Sequence, residues 1–443
     1  MKILTADYLM MKSSELITGG AVCIDGDKII DVGEKNSIIK SFPRATVENF
    51  SNSLIMPGFV NAHSHLELTL FRSLLDSSDA DFKSWLINLV RYRRLLSEEE
   101  LELSAIAGAI EGIKSGITCF ADIGSFAGAS LKALKLVGLR GIVFQETKFS
   151  PDSKNADTDF VELRERFLKL KNQESEIVRV GLSPHAPYTV SRKLFEKIAD
   201  YAISNAISVA IHVAESKEEN NLMIYGKGFD SFYKELKFEP PFKSSIEYLN
   251  EVGILHAKPL LIHCVHVSDH DIELISQRGC TIAHCPKSNS KFGHGRAPLE
   301  KFLRAGVTIG LGTDSVGSNN LLDMLEEARF ACFLVRPHEF IEAKKFIELL
   351  TIDGARALGF SEVGTIEKNR HADLIVIGLE DISVMPSYDI TATLLFSCKS
   401  SSVRLNMVNG REIFRDGLVR IIDENSVKKE IIRIASKIKE AKA

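Results

Sequence analysis

The chain has 443 residues, of which 45% are hydrophobic and 26% charged, the balance of a soluble globular protein and not of a disordered or fibrous one. Lysine and arginine number 55 against 59 aspartate and glutamate residues, a formal net charge of -4 without any basic tract. This charge argues against nucleic-acid and anionic-membrane partners. The seven cysteines are thinly spread, the sequence shows no leader pattern, and no apolar stretch approaches the roughly 20 residues that span a bilayer. These features favour a location in the cytoplasm.

Both ends of the chain have short alternating or β-branched runs between glycine turns, which is typical of β-strands. These runs are residues 2–4, 21–24, 28–32 and 372–377. Asn409-Gly410 adds a hairpin signal near the C-terminus. We predict one small β-sandwich domain formed from residues 1–56 and 366–443, with an amphipathic surface helix over residues 424–443.

Between these ends, short apolar runs alternate with helical segments, the pattern of parallel strands joined by crossover helices. The eight runs are residues 58–65, 118–123, 141–146, 178–185, 207–212, 260–263, 281–284 and 307–314. Helical patterns lie between them, for example over residues 192–204, 269–278 and 321–334. We predict an α/β fold in which residues 57–365 form a closed (β/α)8 barrel of the TIM type. An open doubly wound sheet is the alternative, because a count of runs does not show closure.

Five of the eight runs end at residues that bind metals or move protons. These residues are His63 and His65 in the first run, His185 in the fourth, His212 in the fifth, His263 in the sixth and Asp314 in the eighth. His63 and His65 lie two apart on a strand and therefore point to the same face. The C-terminal ends of barrel strands share one rim, which brings all of these side chains to one pocket. Neutral imidazoles with one carboxylate and an open position for water predict a catalytic zinc site.

A thiolate metal site is the rival interpretation of the histidines in this part of the chain. Its candidate ligands are Cys264, His266, Cys280, His284 and Cys285. The chain has no C-x-x-C pair, and strand neighbours such as His284 and Cys285 point to opposite faces. Buried, chemically inert cysteines are the simpler interpretation. The sequence also contains no phosphate loop, nucleophile elbow or dinucleotide-binding turn.

Five motifs distributed along the chain resemble a known family. They are residues 56–65 (MPGFVNAHSH), 212–216 (HVAES), 262–266 (IHCVH), 284–289 (HCPKSN) and 312–315 (GTDS). They resemble the amidohydrolase superfamily, in the aminohydrolase branch that includes chlorohydrolases and S-adenosylhomocysteine deaminases. The resemblance covers nearly the whole chain. It implies a (β/α)8 barrel beside a small β-sandwich built from both chain ends.

The same resemblance implies a single divalent metal ion, zinc, with a defined set of ligands. The implied ligands are His63, His65, His212 and Asp314. The binuclear branches carry a bridging lysine at the end of the fourth strand, where this chain has Ser183-Pro184-His185. The resemblance therefore implies a one-metal site, with His185 in a position that contacts substrate.

The resemblance also implies roles in proton transfer for three residues. Asp314 accepts the proton of the attacking water, and His263 holds that water in line. Glu215 protonates a ring nitrogen of the substrate, so that the amine-bearing carbon becomes electrophilic. A carboxylic acid at position 215 suits deamination better than the displacement of halide from a triazine.

Two groups of deaminases within this branch are candidates for the substrate. S-adenosylhomocysteine and methylthioadenosine deaminases carry a tryptophan, which Trp85 matches. They also carry a ribose-binding glutamate and an arginine at two further positions. This chain departs from both, with Arg94 in place of the glutamate and Gln145 in place of the arginine. The chain looks closer to aminodeoxyfutalosine deaminases, whose substrate is an adenine nucleoside with a carboxyphenyl ketone tail. This likeness lies in residues 65–68 (HLEL), 81–85 (DFKSW), 144–146 (FQE) and the insert 228–234 (GFDSFYK) followed by Pro240 and Pro241.

Three residues are expected at or near the substrate tail. Arg94 or Arg296 pairs with the carboxylate, or either is an ordinary surface charge. Trp85, the only tryptophan, stacks on a ring or packs in the core. The sequence assigns no role to Glu67 or Glu146.

The function expected from these residues is metal-dependent hydrolytic deamination of a purine-type small molecule, with release of ammonia. 6-Aminodeoxyfutalosine, an intermediate of menaquinone biosynthesis, is the leading substrate. S-adenosylhomocysteine or methylthioadenosine, and then guanine or a triazine, are the alternatives. A non-catalytic barrel is disfavoured because every ligand and proton-transfer position is filled. The resemblance also suggests a homodimer.

Overall fold

The computed structural model describes residues 1–76, 81–228 and 238–442. Residues 229–234 of the insert that the sequence analysis singled out lie outside the described residues. No helix in the described ranges is long and apolar enough to cross a membrane. All seven cysteines are buried thiols.

The described strands are numbered in chain order. They are β1 (Lys2–Lys12), β2 (Glu15–Asp25), β3 (Lys28–Glu34), β4 (Thr46–Pro57), β5 (Phe59–Ser64), β6 (Ile117–Gly124), β7 (Arg140–Glu146), β8 (Val178–Ser183), β9 (Ala210–Val213), β10 (Leu260–His263), β11 (Thr281–His284), β12 (Ile309–Leu311), β13 (Leu374–Gly378), β14 (Val403–Val408), β15 (Arg411–Arg415) and β16 (Leu418–Val419).

The described α-helices are numbered in the same way. They are α1 (Lys35–Ser41), α2 (Phe82–Arg93), α3 (Glu98–Lys114), α4 (Ala127–Val137), α5 (Ala156–Lys171), α6 (Arg192–Ser204), α7 (Lys217–Tyr225), α8 (Ser245–Glu251), α9 (Asp269–Arg278), α10 (Pro286–Lys291), α11 (Leu299–Arg304), α12 (Val316–Asn319), α13 (Met324–Val335), α14 (Ala343–Leu350), α15 (Ile352–Ala357), α16 (Ile390–Phe396) and α17 (Glu424–Lys442). Short 3-10 helices cover Leu66–Phe71, Ser153–Asn155, Ile254–Ala257, Ile382–Val384 and Ser400–Ser402.

The central eight strands form a closed parallel barrel. Strands β5 to β8 pair in order as one four-stranded sheet, and β9 to β12 pair in order as another. Parallel bridges join the two sheets at both seams, between Leu182 and Val209 and between Ser64 and Asp314. The prediction of a (β/α)8 barrel is therefore confirmed. Each of the eight apolar runs contains a strand, although β9 and β12 cover only part of the runs 207–212 and 307–314. Because each run feeds a helix that packs back on the sheet, every strand ends at the same rim.

The β-rich part of the chain is a single eight-stranded sheet drawn from both ends. Its order is β16-β15-β14-β13-β4-β1-β2-β3, so the antiparallel pair of β4 and β13 joins the two ends. The sheet folds back on itself, because Lys28 at the start of β3 also bridges to His371 just before β13. Leu4, Ile29 and Leu405, from three different strands, consequently share one buried core. The Asn409-Gly410 turn joins β14 to β15, as the hairpin signal predicts.

The strands at the N-terminal end are longer than their sequence patterns indicate. The apolar run of residues 2–4 ends at Thr5, yet β1 continues to Lys12. Thr5 stays inside the sheet because its buried hydroxyl donates a hydrogen bond of 2.8 Å to Asn49 Oδ1 on the neighbouring strand. A satisfied polar group does not interrupt a strand.

The barrel and the β-rich sheet are held together by buried polar contacts. Arg140 at the start of β7 donates to Asp373, which precedes β13, at 2.6 Å from Nε and 3.1 Å from Nη2. Asn406 of β14 donates to the carbonyl oxygens of Ile113 and Ile117, both at 2.9 Å. These contacts lie at the closed end of the barrel and leave the opposite rim open.

Candidate active site

Three histidines and one aspartate converge at the C-terminal rim of the barrel. His63 lies in β5, His65 follows it, His212 lies in β9 and Asp314 follows β12. Nε2 of His65 is 3.3 Å from Nε2 of His212. Asp314 Oδ1 lies 3.3 Å from Nε2 of His63 and 3.5 Å from Nε2 of His65. These spacings place four potential ligand atoms around one point.

The environment of these imidazoles suits a divalent metal ion. His65 Nδ1 lies 2.9 Å from the carbonyl oxygen of Ile123, and His212 Nδ1 lies 3.2 Å from that of His185. These contacts orient both rings so that each Nε2 faces the common centre. Both ring nitrogens of His63 are buried without a hydrogen bond to any described residue. An unsatisfied buried nitrogen is costly, and a metal ion bound there would satisfy it.

Burial keeps the histidine ligands neutral, as metal binding requires. It lowers the pKa of His63 and of His65 to about 4, and the pKa of His212 to about 3. Burial opposes ionisation of Asp314, but the neighbouring imidazoles, above all His63 at 3.3 Å, outweigh it. The pKa of Asp314 is therefore held well below its ordinary value.

Asp314 is fixed by hydrogen bonds from the loop that carries it and from a neighbouring helix. Its Oδ2 accepts from Ser288 Oγ at 2.6 Å and from Ser318 Oγ at 2.7 Å. Its Oδ1 accepts from the backbone N–H of Ser315 at 2.7 Å. The residue has φ of +59°, a left-handed conformation that costs a non-glycine residue energy and is common at functional sites.

Glu215 lies on the same rim between two imidazoles. Its Oε1 is 3.6 Å from Nε2 of His263 and 3.5 Å from Nε2 of His294. Burial opposes ionisation of Glu215, but these two rings outweigh it and lower its pKa to about 2. His263 is oriented in turn by Asn289, whose Oδ1 lies 2.8 Å from Nδ1 of that ring.

His294 is a site residue that the sequence analysis did not identify. It follows α10 in a loop, not a barrel strand, so the pattern of strand ends does not reach it. The available signal is its position five residues after Asn289, between two glycines of the segment 292–295 (FGHG). It is 6% exposed and packs edge-on against Phe82, with ring centroids 4.7 Å apart.

His185 lies beside the metal-ligand cluster and next to Glu146. The ring of His185 is held by Thr189, whose Oγ1 is 2.8 Å from Nδ1. Its Nε2 is 4.0 Å from Glu146 Oε1. Burial lowers the pKa of His185 to about 4. Glu146, His185 and His212 each have one potential ligand atom, and these three atoms lie within 4.8 Å of one another.

A cavity of about 810 Å³ opens next to this cluster and has a basic wall. Glu146, His185 and Tyr188 line its inner side. Its cationic lining residues come from α2 and the residue after it, from the loop after β7 and from α5: Lys83, Arg91, Arg93, Arg94, Lys148 and Arg166. Apolar side chains such as Leu89 and Phe149 complete the wall.

The remaining predicted contacts occupy different places. Arg94 is exposed and lines the cavity. The guanidinium of Arg296 pairs with Glu300 through contacts of 2.6 and 3.1 Å and is thereby committed within the protein. Trp85 is buried and packs against Phe292, with ring centroids 5.0 Å apart. It therefore belongs to the aromatic core that lies next to His294.

The thiolate alternative finds no support in the described part of the chain. The side-chain groups there that lie close enough to hold a metal ion comprise only histidines, Glu146 and Asp314. Burial also raises the pKa of Cys264 and Cys285 well above the ordinary value, so both remain thiols.

Comparisons with known proteins agree with this architecture. The chain is 32% identical over 450 residues to a 5-methylthioadenosine/S-adenosylhomocysteine deaminase of Thermodesulfovibrio yellowstonii, with 99% of this chain and 98% of the relative covered. A zinc-bound adenosine deaminase from Xanthomonas campestris superposes with a TM-score of 0.88 at 23% identity, covering 99% of this chain and 98% of that one.

Helicobacter pylori aminofutalosine deaminase in complex with methylthio-coformycin superposes with a TM-score of 0.79 at 24% identity, covering 94% of this chain and all 100% of that one. At these identities the two solved structures show a shared fold. Residues 54–413 match the model of the amidohydrolase family. With that match and a relative 32% identical along almost its whole length, the chain belongs to the amidohydrolase family.

Proposed function

We propose that this protein is a zinc-dependent aminohydrolase that releases ammonia from the adenine ring of a nucleoside with an anionic tail, with 6-aminodeoxyfutalosine as the leading substrate. One observation carries the proposal: Glu146 and His185, which lie beside the metal ligand His212, also line a cavity of about 810 Å³ with six cationic lining residues. Family membership makes the chain a metal-dependent hydrolase, and the deaminase relative supports adenine nucleosides as the substrate class.

The first part of the proposal concerns the metal. His63, His65, His212 and Asp314 would hold one zinc ion, since they offer three neutral imidazoles and one carboxylate to a common centre. When bound in such a site, zinc lowers the pKa of water to about 7 and supplies a nucleophile at neutral pH.

Two carboxylates divide the proton transfers. Because the pKa of Glu215 is about 2, this residue enters the cycle as a carboxylate and has no proton of its own to give. Glu215 would therefore take the first proton from the attacking water and pass it to the ring nitrogen. Asp314 would take the second proton and deliver it to the departing ammonia. This order differs from the one that the resemblance implies, in which Asp314 accepts the first proton.

His263 would position the attacking water. Asn289 orients the ring through Nδ1, so Nε2 faces the reaction centre, 3.6 Å from Glu215. His263 has φ of +72°, and the strained backbone sets the ring at the end of β10. Positioning and proton transfer of this kind contribute roughly 10²–10⁴-fold to a rate.

The basic wall of the cavity supports an anionic tail. Arg94 has no side-chain ion pair with any described residue, so its planar fork is available for a carboxylate. Leu89 and Phe149 supply apolar surface for an aromatic ring. A carboxyphenyl ketone tail has both of these chemical features.

Methylthioadenosine or S-adenosylhomocysteine deamination is the second candidate. The observation that favours it is the 32% identity to the Thermodesulfovibrio yellowstonii deaminase over nearly the full length of both chains. The amino-acid tail of S-adenosylhomocysteine carries both charges. The cavity lining has six cationic side chains and one carboxylate, Glu146, although Lys148 is paired with Asp159 and Glu162 outside the lining.

The test is ammonia release by zinc-loaded protein with 6-aminodeoxyfutalosine, S-adenosylhomocysteine, methylthioadenosine, adenosine and guanine. We expect the highest kcat/KM with 6-aminodeoxyfutalosine. A preference for methylthioadenosine or S-adenosylhomocysteine would leave the mechanism in place and reject the tail assignment. No turnover of any adenine nucleoside by metal-loaded protein would reject the proposal.

A pair of variants isolates the tail contact. Arg94→Gln should lower kcat/KM about tenfold or more for the anionic substrate and leave adenosine, which lacks a charged tail, unchanged. Arg164→Gln is the matched control, because Arg164 is an exposed arginine of α5 that does not line the cavity. Equal losses on both substrates would contradict a tail-binding role for Arg94.

The wider setting follows from the same proposal. A substrate of menaquinone biosynthesis would place the enzyme in that pathway and in the cytoplasm. We also propose the predicted division into a catalytic barrel of residues 57–365 flanked by residues 1–56 and 366–443, and a homodimeric state. Light scattering of the purified protein measures the last of these directly.

A further inference from the structure

The geometry points to Glu146 as the residue that binds the ribose hydroxyls of the substrate. This inference rests on the proposed deamination of a nucleoside and extends it to the sugar. Glu146 ends β7 and is 9% exposed. It faces the space between the metal-ligand cluster and the basic cavity, where no role has been assigned to it.

The position of Glu146 matches the position of the sugar. The base must lie against Glu215 and the metal ligands, and the tail must extend into the basic cavity. Glu146 belongs to both regions, because it lines the cavity and also lies within 4.8 Å of ligand atoms on His185 and His212. A sugar that joins base and tail passes this residue.

One oxygen of Glu146 is fixed, and the other is available. Oε2 accepts a hydrogen bond of 2.8 Å from Ser125 Oγ. Oε1 accepts no hydrogen bond from any residue that the structure describes, and its near neighbour, His185 Nε2, is 4.0 Å away. A carboxylate oxygen at the edge of a cavity is a strong acceptor for a hydroxyl donor.

Ser125 is held rigidly and therefore presents Glu146 in one orientation. Its backbone N–H donates to Glu67 Oε1 at 3.2 Å, and its Oγ also accepts from Arg93 Nη1 at 2.9 Å. Its carbonyl oxygen accepts from Gln145 Nε2 at 3.2 Å and from Arg166. Such a supporting network preorganises a binding group instead of leaving it to adapt.

A role for Glu146 as a ligand of a second metal ion agrees less well with the contacts. Both ring nitrogens of His212 are committed, Nδ1 toward the carbonyl oxygen of His185 and Nε2 toward the metal centre that it shares with His65. Only Glu146 and His185 would then remain as protein ligands for a second ion. Two ligands are fewer than a zinc site uses.

The experiment compares variants of Glu146 on substrates that differ in one hydroxyl. Adenosine, 2′-deoxyadenosine and 3′-deoxyadenosine lack a charged tail, so they separate the sugar contact from the basic cavity. For the wild-type enzyme, kcat/KM should be at least tenfold lower with the deoxynucleoside that lacks the contacted hydroxyl than with adenosine. With adenosine, kcat/KM of Glu146→Ala should be lower than that of wild type by a similar factor, mainly through a higher KM. The variant should no longer distinguish adenosine from that deoxynucleoside.

Glu146→Gln is the conservative variant, since the amide oxygen still accepts a hydrogen bond without the charge. We expect it to fall between wild type and Glu146→Ala. Glu165→Gln is the matched control, because Glu165 is an exposed glutamate of α5 outside the cavity lining, and it should behave as wild type. Zinc content and the circular dichroism spectrum should be unchanged in all variants.

Three outcomes would overturn the inference. An equal loss of activity of Glu146→Ala on adenosine and on both deoxynucleosides would show that the residue does not contact the sugar. So would a Glu146→Ala enzyme that keeps the wild-type preference for the hydroxyl. Titration calorimetry with inosine and 2′-deoxyinosine tests binding without turnover, and equal affinities for inosine in wild type and Glu146→Ala would also reject it. Failure of wild type to deaminate any nucleoside rejects the proposed function itself, a result distinct from these.

Discussion

Glu215 combines a buried position, two neighbouring imidazoles and a proton-transfer role. Replacing it by glutamine removes the carboxylate and leaves the metal ligands untouched. We expect Glu215→Gln to keep its zinc and to lose about 10²–10⁴-fold in kcat, because the amide cannot carry the proton. Metal analysis and steady-state kinetics check this. Glu218→Gln, at an exposed position three residues further on, is the control, and a fully active Glu215→Gln enzyme would refute the assigned role.

His294 lies beside Glu215 and, after His263, contributes to its low pKa. The imidazole of His294 lies 3.5 Å from Oε1 and helps to lower the pKa of Glu215 to about 2. Removing the ring in His294→Ala should therefore raise the pKa of Glu215. A carboxylate that must be ionised to accept a proton loses activity as pH falls through its pKa, so the acidic limb of log kcat/KM should move to higher pH.

The pH profile of His294→Ala is compared with that of His270→Ala, which removes an exposed histidine of α9. The second variant should retain the wild-type profile. An acidic limb at the same pH in wild type and His294→Ala would show that His294 does not act on Glu215.

At the scale of elements, the loop between β9 and α7 sets the position of Glu215. Ser216 caps α7 by accepting from the N–H of Glu219 at 3.1 Å. The side chain of Glu219 reaches back and accepts from the N–H groups of Ala214 at 2.8 Å and Glu215 at 3.0 Å. Ala214 has φ of +52°, so this carboxylate stabilises a strained turn.

Glu219→Gln should disturb that turn. The new glutamine NH2 group would face a backbone N–H or the Ser245 hydroxyl, which donates to Oε1 of Glu219 at 2.6 Å, so that two donors would meet. An unsatisfied buried donor costs roughly 1–3 kcal/mol. We expect a thermal midpoint a few degrees lower and a reduced kcat, with zinc retained. Differential scanning calorimetry and kinetics measure both. The exposed Glu218→Gln again serves as the control, and a Glu219→Gln variant with wild-type kcat would show that the turn does not position Glu215.

At the scale of the whole molecule, the sequence predicts the barrel and most of the metal-ligand cluster. The reason is that the C-terminal ends of the strands in a parallel barrel lie on one rim, however far apart they are in the chain. His63, His212 and Asp314 could be assigned to one site on that ground alone. Contacts of loops with one another could not be predicted in this way. His294 reaches Glu215 only because of the path that follows α10. The contacts of Arg93 and Arg166 with Ser125 likewise depend on how α2 and α5 pack beside the rim. The fold-back of the β-rich sheet likewise depends on a pairing between Lys28 and His371, which are far apart in sequence.

The ligand cluster also joins the two halves of the barrel. His63 and His65 belong to the four-stranded sheet that begins with β5, whereas His212 and Asp314 belong to the sheet of β9 to β12. At this seam the described backbone contributes a single bridge, between Ser64 and Asp314. A metal ion held by all four residues would therefore fasten the seam as well as serve the reaction.

Removal of the metal should consequently lower stability as well as activity. A ligand at about 1,000 times its Kd stabilises a folded protein by about 4 kcal/mol, and the chelated protein loses that contribution. We expect a thermal midpoint several degrees lower after dialysis against a chelator, with restoration by added zinc. Amide hydrogen exchange should increase at β5 and at residues 312–315, and much less at β2, which lies in the other sheet and serves as the internal control. Equal exchange at the seam with and without zinc would show that the protein's own contacts close the barrel, namely the Ser64–Asp314 bridge and the hydrogen bonds between Asn61 and Thr313.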